Sequence, residues 1–288
     1  SLVTGVQTCA LPIYSKLSGN IYLPEKGVKA GSISGVYFKG GPLVEGKAYL
    51  ADKTLPELDR NWRQYINNLS SILMNIQVEP IELENIERSF KNKTGIISTN
   101  EPIHISQELK GNLIINSNSE IFISSESILD QVVLVSPRIE FESGFQGSAH
   151  VIGEQIIVNS GVSLNYPSSL ISNQSDVVNQ LATPAIYLHP NVELKGNIIF
   201  LNSNSKNQRF ASILLSKNSK VYGNIYNEGY LENLGVIIGQ VYTKYMISNH
   251  RGAAYINHMY DGIIKEPEFE AVGLPFSNDL KGLAAWLY

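Results

Sequence analysis

Between Ile213 and Thr243 the chain reads ILLSKNSKVYGNIYNEGYLENLGVIIGQVYT, and glycine returns every sixth residue, at Gly223, Gly229 and Gly235. Ile213, Ser219, Ile225, Leu231, Ile237 and Thr243 keep the same interval. A short fixed repeat of this kind is the mark of a solenoid, in which each turn stacks on the one before. Alternate side chains of extended backbone point to opposite faces. Leu215, Val221, Ile225, Leu231, Ile237 and Val241 therefore share one face with the glycines, and that face is the interior. The other face carries Asn218, Lys220, Asn224, Glu228 and Glu232, but also Tyr222, Tyr226, Tyr230, Leu234, Val236 and Ile238. Strands apolar on both faces are covered on both, so another part of the chain is expected against the outside of the coil near residues 222–242.

Weaker forms of the same alternation extend from about Thr94 to about Asn257. Leu113, Ile115, Ile121 and Ile123 alternate across GNLIINSNSEIFISS, followed by Val133 and Val135, Ile139 and Phe141, and Ile156 and Val158. After a polar stretch at 171–183, which reads as a loop bulging from one turn, Ile186, Leu188, Val192, Leu194, Ile198 and Phe200 take the inward role. Short strands with Asn, Ser and Gly corners predict an all-β fold, a right-handed parallel β-helix of about seven turns at roughly 20 residues each. Asn116, Asn118, Asn202 and Asn204 are expected at corners, where Asn tolerates left-handed backbone.

The flanks differ in kind. Residues 14–52 contain short apolar runs broken by Gly27, Gly31, Gly35, Gly40, Gly41 and Gly46, a pattern of small strands and turns. None of these glycines has the spacing of a phosphate-binding loop. Thr54 to Glu57 reads as a capping box with Pro56 in the first turn. Leu55, Leu58, Trp62, Tyr65, Ile66, Leu69, Ile72, Leu73 and Ile76 then form one broad apolar stripe, so a helix is expected from Thr54 to about Gln77. The segment 53–93 thus caps or packs on the coil, with a second short helix expected over Glu82 to Phe90. The coil itself is assigned to 94–262. Residues 263–288, with Pro267, Pro275 and the apolar ending Leu283, Trp286, Leu287 and Tyr288, read as a docking tail.

Val3 to Ile13 reads VTGVQTCALPI, the translation of a common sequencing-adapter string, so residues 1–13 are read as an assembly artefact and the chain as a metagenomic fragment. The only cysteine, Cys9, lies inside it, which leaves no thiol for disulfides, iron–sulfur clusters or cysteine-ligated zinc in the remainder. Any membrane anchor would lie upstream, since nothing after residue 14 approaches the roughly 18 apolar residues of a span. The net charge of −4, with 17% charged residues, argues against a nucleic-acid partner, which normally requires a basic patch.

Two resemblances follow from these segments. Residues 213–243 resemble the bactofilins, bacterial β-helix proteins that polymerise, whose rungs repeat an apolar-x-Gly-x-apolar unit. GNIYLPEKGVKAG, TLPEL, AAYINHMYDGII at 253–264 and the terminal AAWLY resemble a set of uncharacterised envelope proteins of Bacteroidetes, associated with pilin-like genes and an N-terminal membrane segment. The second resemblance implies a non-enzymatic structural or assembly protein of the cell envelope or its exterior, in a pilus-like or secretion apparatus, with protein partners or self-association. The first implies a cytoplasmic self-polymerising scaffold. Neither implies a catalytic residue, a metal or a cofactor.

Three groups of side chains have chemistry of their own. Arg138, Glu140 and Glu142 alternate on one strand face. They read first as a solvated row of ion pairs, and alternatively as the acidic and basic cluster of a polysaccharide lyase or hydrolase. His258 and Asp261, near His250 and Arg251, are two candidate metal ligands without a third, too few for a zinc site. Tyr222, Tyr226 and Tyr230, if exposed, would form a row able to stack on sugar rings or a protein partner, and if covered would pack against flanking segments.

Overall fold

The computed structural model describes residues 2–4, 9–11, 15–23, 28–30, 32–33, 35–37, 42, 44–52, 54–76, 82–173, 183–201, 210–267 and 273–277. They form a parallel β-helix with three sides. The first side is built by Gly95–Thr99, Leu113–Ser117, Val132–Val135 and Ala149–Gly153, each paired in parallel with the next. It continues through the later halves of Ser163–Ser172 and Glu193–Phe200 to the starts of Ile225–Asn233 and Val241–His250. The second side stacks Ile103–Ile105, Glu120–Ile123, Arg138–Phe141, Gln155–Val158, Ile186–Leu188 and Ile213–Leu215. The third begins with Ile86–Arg88, Glu108–Gly111 and Ile128–Asp130 and later includes Lys220–Tyr222, Val236–Ile238 and Ile263–Lys265.

One column shows how the interior is built. Ile97, Ile115, Leu134, Val151, Leu170, Ile198, Ile225 and Val241 lie one above another. From Ile115 on they belong to a single apolar core that runs the length of the coil. Each side takes about six residues, which is why the glycine interval is six. Gly223, Gly229 and Gly235 are three successive corners of one turn. A Cβ at Gly223 would lie 2.0 Å from the carbonyl oxygen of Gly196, and one at Gly239 would lie 1.8 Å from that of Gly223. Stacked corners leave no space for a side chain there, and Gly223 also has φ 149°. The corner between the second and third sides uses left-handed residues, Gly144, Gly161, Asn191 and Asn218. Of the expected corner residues, Asn116 lies within a strand instead, fully buried, with its Nδ2 donating to the Ser98 hydroxyl, while Asn118 does sit at the corner between Leu113–Ser117 and Glu120–Ile123 and donates to the Asn100 side chain. Neither is left-handed. Asn202, Asn204 and most of the 171–183 loop lie outside the described residues.

The coil is longer than 94–262 at both ends. Ile86–Arg88 is its first strand, not a helix, because the Arg88 carbonyl and its neighbours pair with Leu109 to Asn112. At the far end Ile263–Lys265 pairs with Val236–Ile238, and the chain's own beginning then continues the stack. Lys16 and Leu17 pair with Ile263 and Ile264, and Leu17 with Val44. On the first side Leu2–Thr4, which belongs to the stretch read as an adapter translation, lies between Val241–Thr243 and Ile21–Tyr22, and Ala48–Leu50 follows Ile21–Leu23. Of the short strands expected for 14–52, Lys16–Ser18, Ile21–Leu23, Val44–Glu45 and Ala48–Leu50 are terminal rungs, while Ser32–Ile33 and Val36–Tyr37 form a separate antiparallel pair.

The chain returns from that end to the first rungs through one helix, α1, Arg60–Asn75. It starts later than Thr54. Asp59 is the N-cap, its carboxylate accepting from the Trp62 N–H at 2.8 Å. Residues 57–59 are held extended instead: the Asp59 N–H donates to the Pro275 carbonyl, the Ser277 N–H donates to that of Glu57, and Leu58 bridges Phe276. Only the middle of the expected apolar stripe lies along the first side of the coil, because Tyr65, Ile72 and Ile76 fall outside the contact face and stay exposed. Leu58, Ile66, Leu69 and Leu73 pack in one cluster with Val135, Ile152, Ile171, Ile199, Leu201, Tyr226 and Leu274. No described helix is long and apolar enough to cross a membrane.

Candidate functional surface

The three tyrosines do not form a row. Sides of six residues place positions four apart on different parts of the coil. Tyr222 is on the third side, 37% exposed, in register with Lys195 and Ile238. Tyr226 is on the first side, buried under α1, where its ring meets Phe276 edge-on and its hydroxyl donates to the Pro56 carbonyl at 3.0 Å. Burial raises its pKa well above the ordinary phenol value, with the nearby Glu228 charge adding to the effect. Tyr230 is buried at the edge of the second side, stacked on Tyr245 at 4.7 Å. As a surface for stacking on a ligand, only Tyr222 remains.

The covering helix is fixed to the coil at both ends. The Arg63 guanidinium grips Glu228 with two bonds, Nη1 to Oε1 at 2.5 Å and Nη2 to Oε2 at 2.7 Å, in a half-buried site. The bond to Glu228 raises the Arg63 pKa further. About two turns later the Ser70 hydroxyl lies 3.2 Å from Asn118 Oδ1 and 3.5 Å from Asn116 Oδ1. Glu228 belongs to a late rung and Asn118 to an early one, so α1 runs opposite to the direction in which the coil advances.

Arg138, Glu140 and Glu142 share the outside of the second side, and each is engaged by its own chain. Arg138 Nη2 bonds Glu140 Oε2 at 2.5 Å and its Nη1 lies 4.0 Å from Glu120 Oε2, while Glu140 Oε1 accepts from Asn159 at 3.0 Å. Glu142 caps the next corner: its Oε2 accepts from the Ser125 N–H at 2.7 Å and from the Ser125 and Ser124 hydroxyls. Those bonds, the Ser125 N–H first, hold its carboxyl below the usual range. A general acid needs the opposite shift. The geometry is a ladder of surface bonds along the rungs.

His258 and Asp261 also part company. The His258 ring bonds the Ile256 carbonyl at 2.8 Å, and Asp261 pairs with Lys217 at 2.7 Å. Among the described residues no three His, Cys, Asp or Glu gather as metal ligands. His250 lies against Tyr260 instead, with ring centres 4.9 Å apart.

Sequence reasoning missed two features of the outer surface. Ring pairs lie on the second side, with His104 stacked on Phe122 at 4.9 Å and Tyr187 on His189 at 4.0 Å. The first pair joins residues in register on adjacent rungs, a relation visible only once the turn length is known. The other feature is Glu232, which reads as a solvated residue but is buried, its carboxylate taking bonds from the Asn249 N–H at 2.6 Å and side-chain amide at 2.7 Å. Burial raises its pKa, and the two bonds oppose that shift. Comparison of the chain with protein-family models, curated proteins and solved structures gave no match in any of the three.

Proposed function

We propose that the chain is a non-enzymatic structural or assembly protein of the cell envelope, a stiff β-helical segment that presents its outer sides to partners in a pilus-like or secretion apparatus. The observation that carries this reading is the state of the outer carboxylates. Glu140, Glu142, Glu228 and Glu232 are each bonded by neighbours on adjacent rungs, on α1 or on a flanking hairpin. Such bonds brace stacked turns, whereas a catalytic carboxylate pair must be free to meet substrate. The segments GNIYLPEKGVKAG and AAYINHMYDGII favour the envelope over the cytoplasm through the resemblance they carry. Sequencing the gene upstream of the Tyr14 codon tests the assignment. A start followed by a short basic stretch and an apolar segment of membrane-spanning length is the expected result. A short polar start would overturn it and favour a cytoplasmic, bactofilin-like polymer.

The ring pairs on the second side favour one further reading, polysaccharide binding without cleavage, because half-exposed aromatic rings are platforms for sugar rings. Retention of acidic polysaccharide by the parent protein and its loss in a Phe122→Ala, Tyr187→Ala double variant is the corresponding result. Cleavage abolished by Glu140→Gln with Glu142→Gln would instead establish the lyase alternative.

A further inference from the structure

The hairpin that leaves the second side near the end of the coil finishes in a strand whose outer edge is paired by no other strand among the described residues. Val241–His250 and Ala253–Ile256 run antiparallel, with Ile247 opposite Ile256, Ser248 opposite Tyr255 and Asn249 opposite Ala254. The Asn257 N–H donates to the Met246 carbonyl at 2.7 Å. Bonded and non-bonded pairs alternate in an antiparallel ladder, so Ala253 and Tyr255 turn their backbone groups into the hairpin. Ala254 and Ile256 turn theirs outward. The Asn249 N–H, opposite Ala254, confirms the phase by pointing away to Glu232 at 2.6 Å. Among the described residues Ala253–Ile256 pairs with no strand but Val241–His250.

This edge lacks the usual protection. Exposed strand edges are blunted by charge, Lys especially, by Pro or by a bulge. Residues 253–257, AAYIN, contain no charge and no proline. Ala253, Ala254 and Ile256 are exposed, Ile256 by 47%.

We propose that the edge pairs with the same edge of a second copy, antiparallel, across a two-fold axis at Tyr255. The strand is its own complement. Centred there, Ala254 faces Ile256 of the other copy twice over, a small side chain against a large one, and no like charges meet. The outward N–H and C=O of Ala254 meet the C=O and N–H of Ile256. The Ile256 carbonyl already accepts from His258 at 2.8 Å and has a second lone pair for this bond. A two-fold contact makes each of these bonds twice, and main-chain pairing of this kind is a general mode of recognition. The pairing deepens the assembly role proposed above and rests on that reading for its purpose, but its test is independent of the upstream sequence, so the two fail separately.

Ala254→Pro removes the outward N–H while leaving the hairpin's own ladder intact, since Ala254 sends no bond toward Asn249. In sedimentation over a concentration series the parent is expected to dimerise and Ala254→Pro to remain monomeric, with the parent's circular dichroism and, at concentrations where the parent is itself monomeric, the parent's melting midpoint. Tyr255→Cys, in a Cys9→Ser background, provides a second measurement that does not depend on how the proline is tolerated. Non-bonded antiparallel pairs hold their Cα atoms about 4.5 Å apart, within disulfide range, so mild oxidation should link two copies. A parent that is monomeric throughout, a dimer retained in Ala254→Pro, or a Tyr255→Cys variant that does not cross-link each overturns the proposal.

Discussion

The first and third sides of the coil have the same interior and opposite exteriors. Inward, Leu170, Ile198 and Ile225 on one side match Leu164, Leu194 and Val221 on the other, all fully buried. Outward, the first side presents Val135, Ile152, Ile171, Ile199 and Tyr226 to α1. The third presents charge to water, with Glu193 paired to Lys195 at 3.3 Å, Lys16 to Glu45 at 2.8 Å, and Lys110 to Glu108. The inward residues decide that the chain coils, and the outward ones decide what each side is for. A side whose outer column is apolar has to be covered, and here the chain covers it with its own helix.

Substitutions that treat the two sides alike should give unlike results. Leu69→Ala, which opens a cavity between α1 and the coil, is expected to cost about 2–5 kcal/mol. Lys195→Ala on the third side should stay within about 0.5 kcal/mol. Chemical denaturation of the two variants makes the comparison, and equal costs would remove the distinction.

A smaller effect comes from the corners, which both sides share. Gly223→Ala combines a disfavoured backbone with a Cβ directed at the Gly196 carbonyl, and a loss of about 1–3 kcal/mol is expected by the same measurement. An unchanged midpoint would mean that the rungs do not stack at this corner as described.

Ion pairs sharpen the contrast further. Arg63→Met breaks the half-buried pair of hydrogen bonds to Glu228 and should cost about 1.5–2 kcal/mol, at the low end of the range for hydrogen bonds to charged groups. Arg138→Met breaks a more exposed pair with Glu140 and should cost at most about 1 kcal/mol.

The smallest expected effect is a dependence on pH. His150 lies on the first side, its Nδ1 2.9 Å from the Ser169 hydroxyl, and burial lowers its pKa below 6.5. The unfolded chain therefore binds a proton before the folded one does. Stability from this group is present above pH 6.5 and is lost as pH falls from there through the folded-state value. His150→Asn should flatten the melting midpoint in that interval. Glu232 has the opposite sign: its raised pKa makes the protonated form the more stable one, a contribution lost as pH rises above 4.5.

What could be read from the sequence follows the same division. Most of the interior was legible because period-two alternation and glycine corners are local signals, but Val133 and Val135 alternate on the outside under α1, and Val132 and Leu134 are the inward pair. The apolar stripe of α1 and the need for a cover near residues 222–242 were legible for a similar reason. The start of α1 was not, because Thr54 and Glu57 satisfy the capping-box spacing while residues 274–277 hold the backbone of 57–59 extended. Nor was the strand at Ile86, where one inward side chain leaves no period to detect. Tyr222, Tyr226 and Tyr230 looked like one row because strand alternation was carried through the corners that separate them. The stacking of Lys16–Ser18 and Val44–Glu45 on the far end of the coil joins residues more than 200 positions apart, and nothing local announces it.

The central claim is that α1 covers the first side and runs against the advance of the coil. Cysteine pairs in a Cys9→Ser background test it directly. Ser70 and Asn118 are in side-chain contact, whereas Glu228 lies beside Arg63, seven residues earlier on the helix. Ser70→Cys with Asn118→Cys should close to an intramolecular disulfide under mild oxidation, and Ser70→Cys with Glu228→Cys should stay reduced. Closure of the second pair in preference to the first would contradict the account.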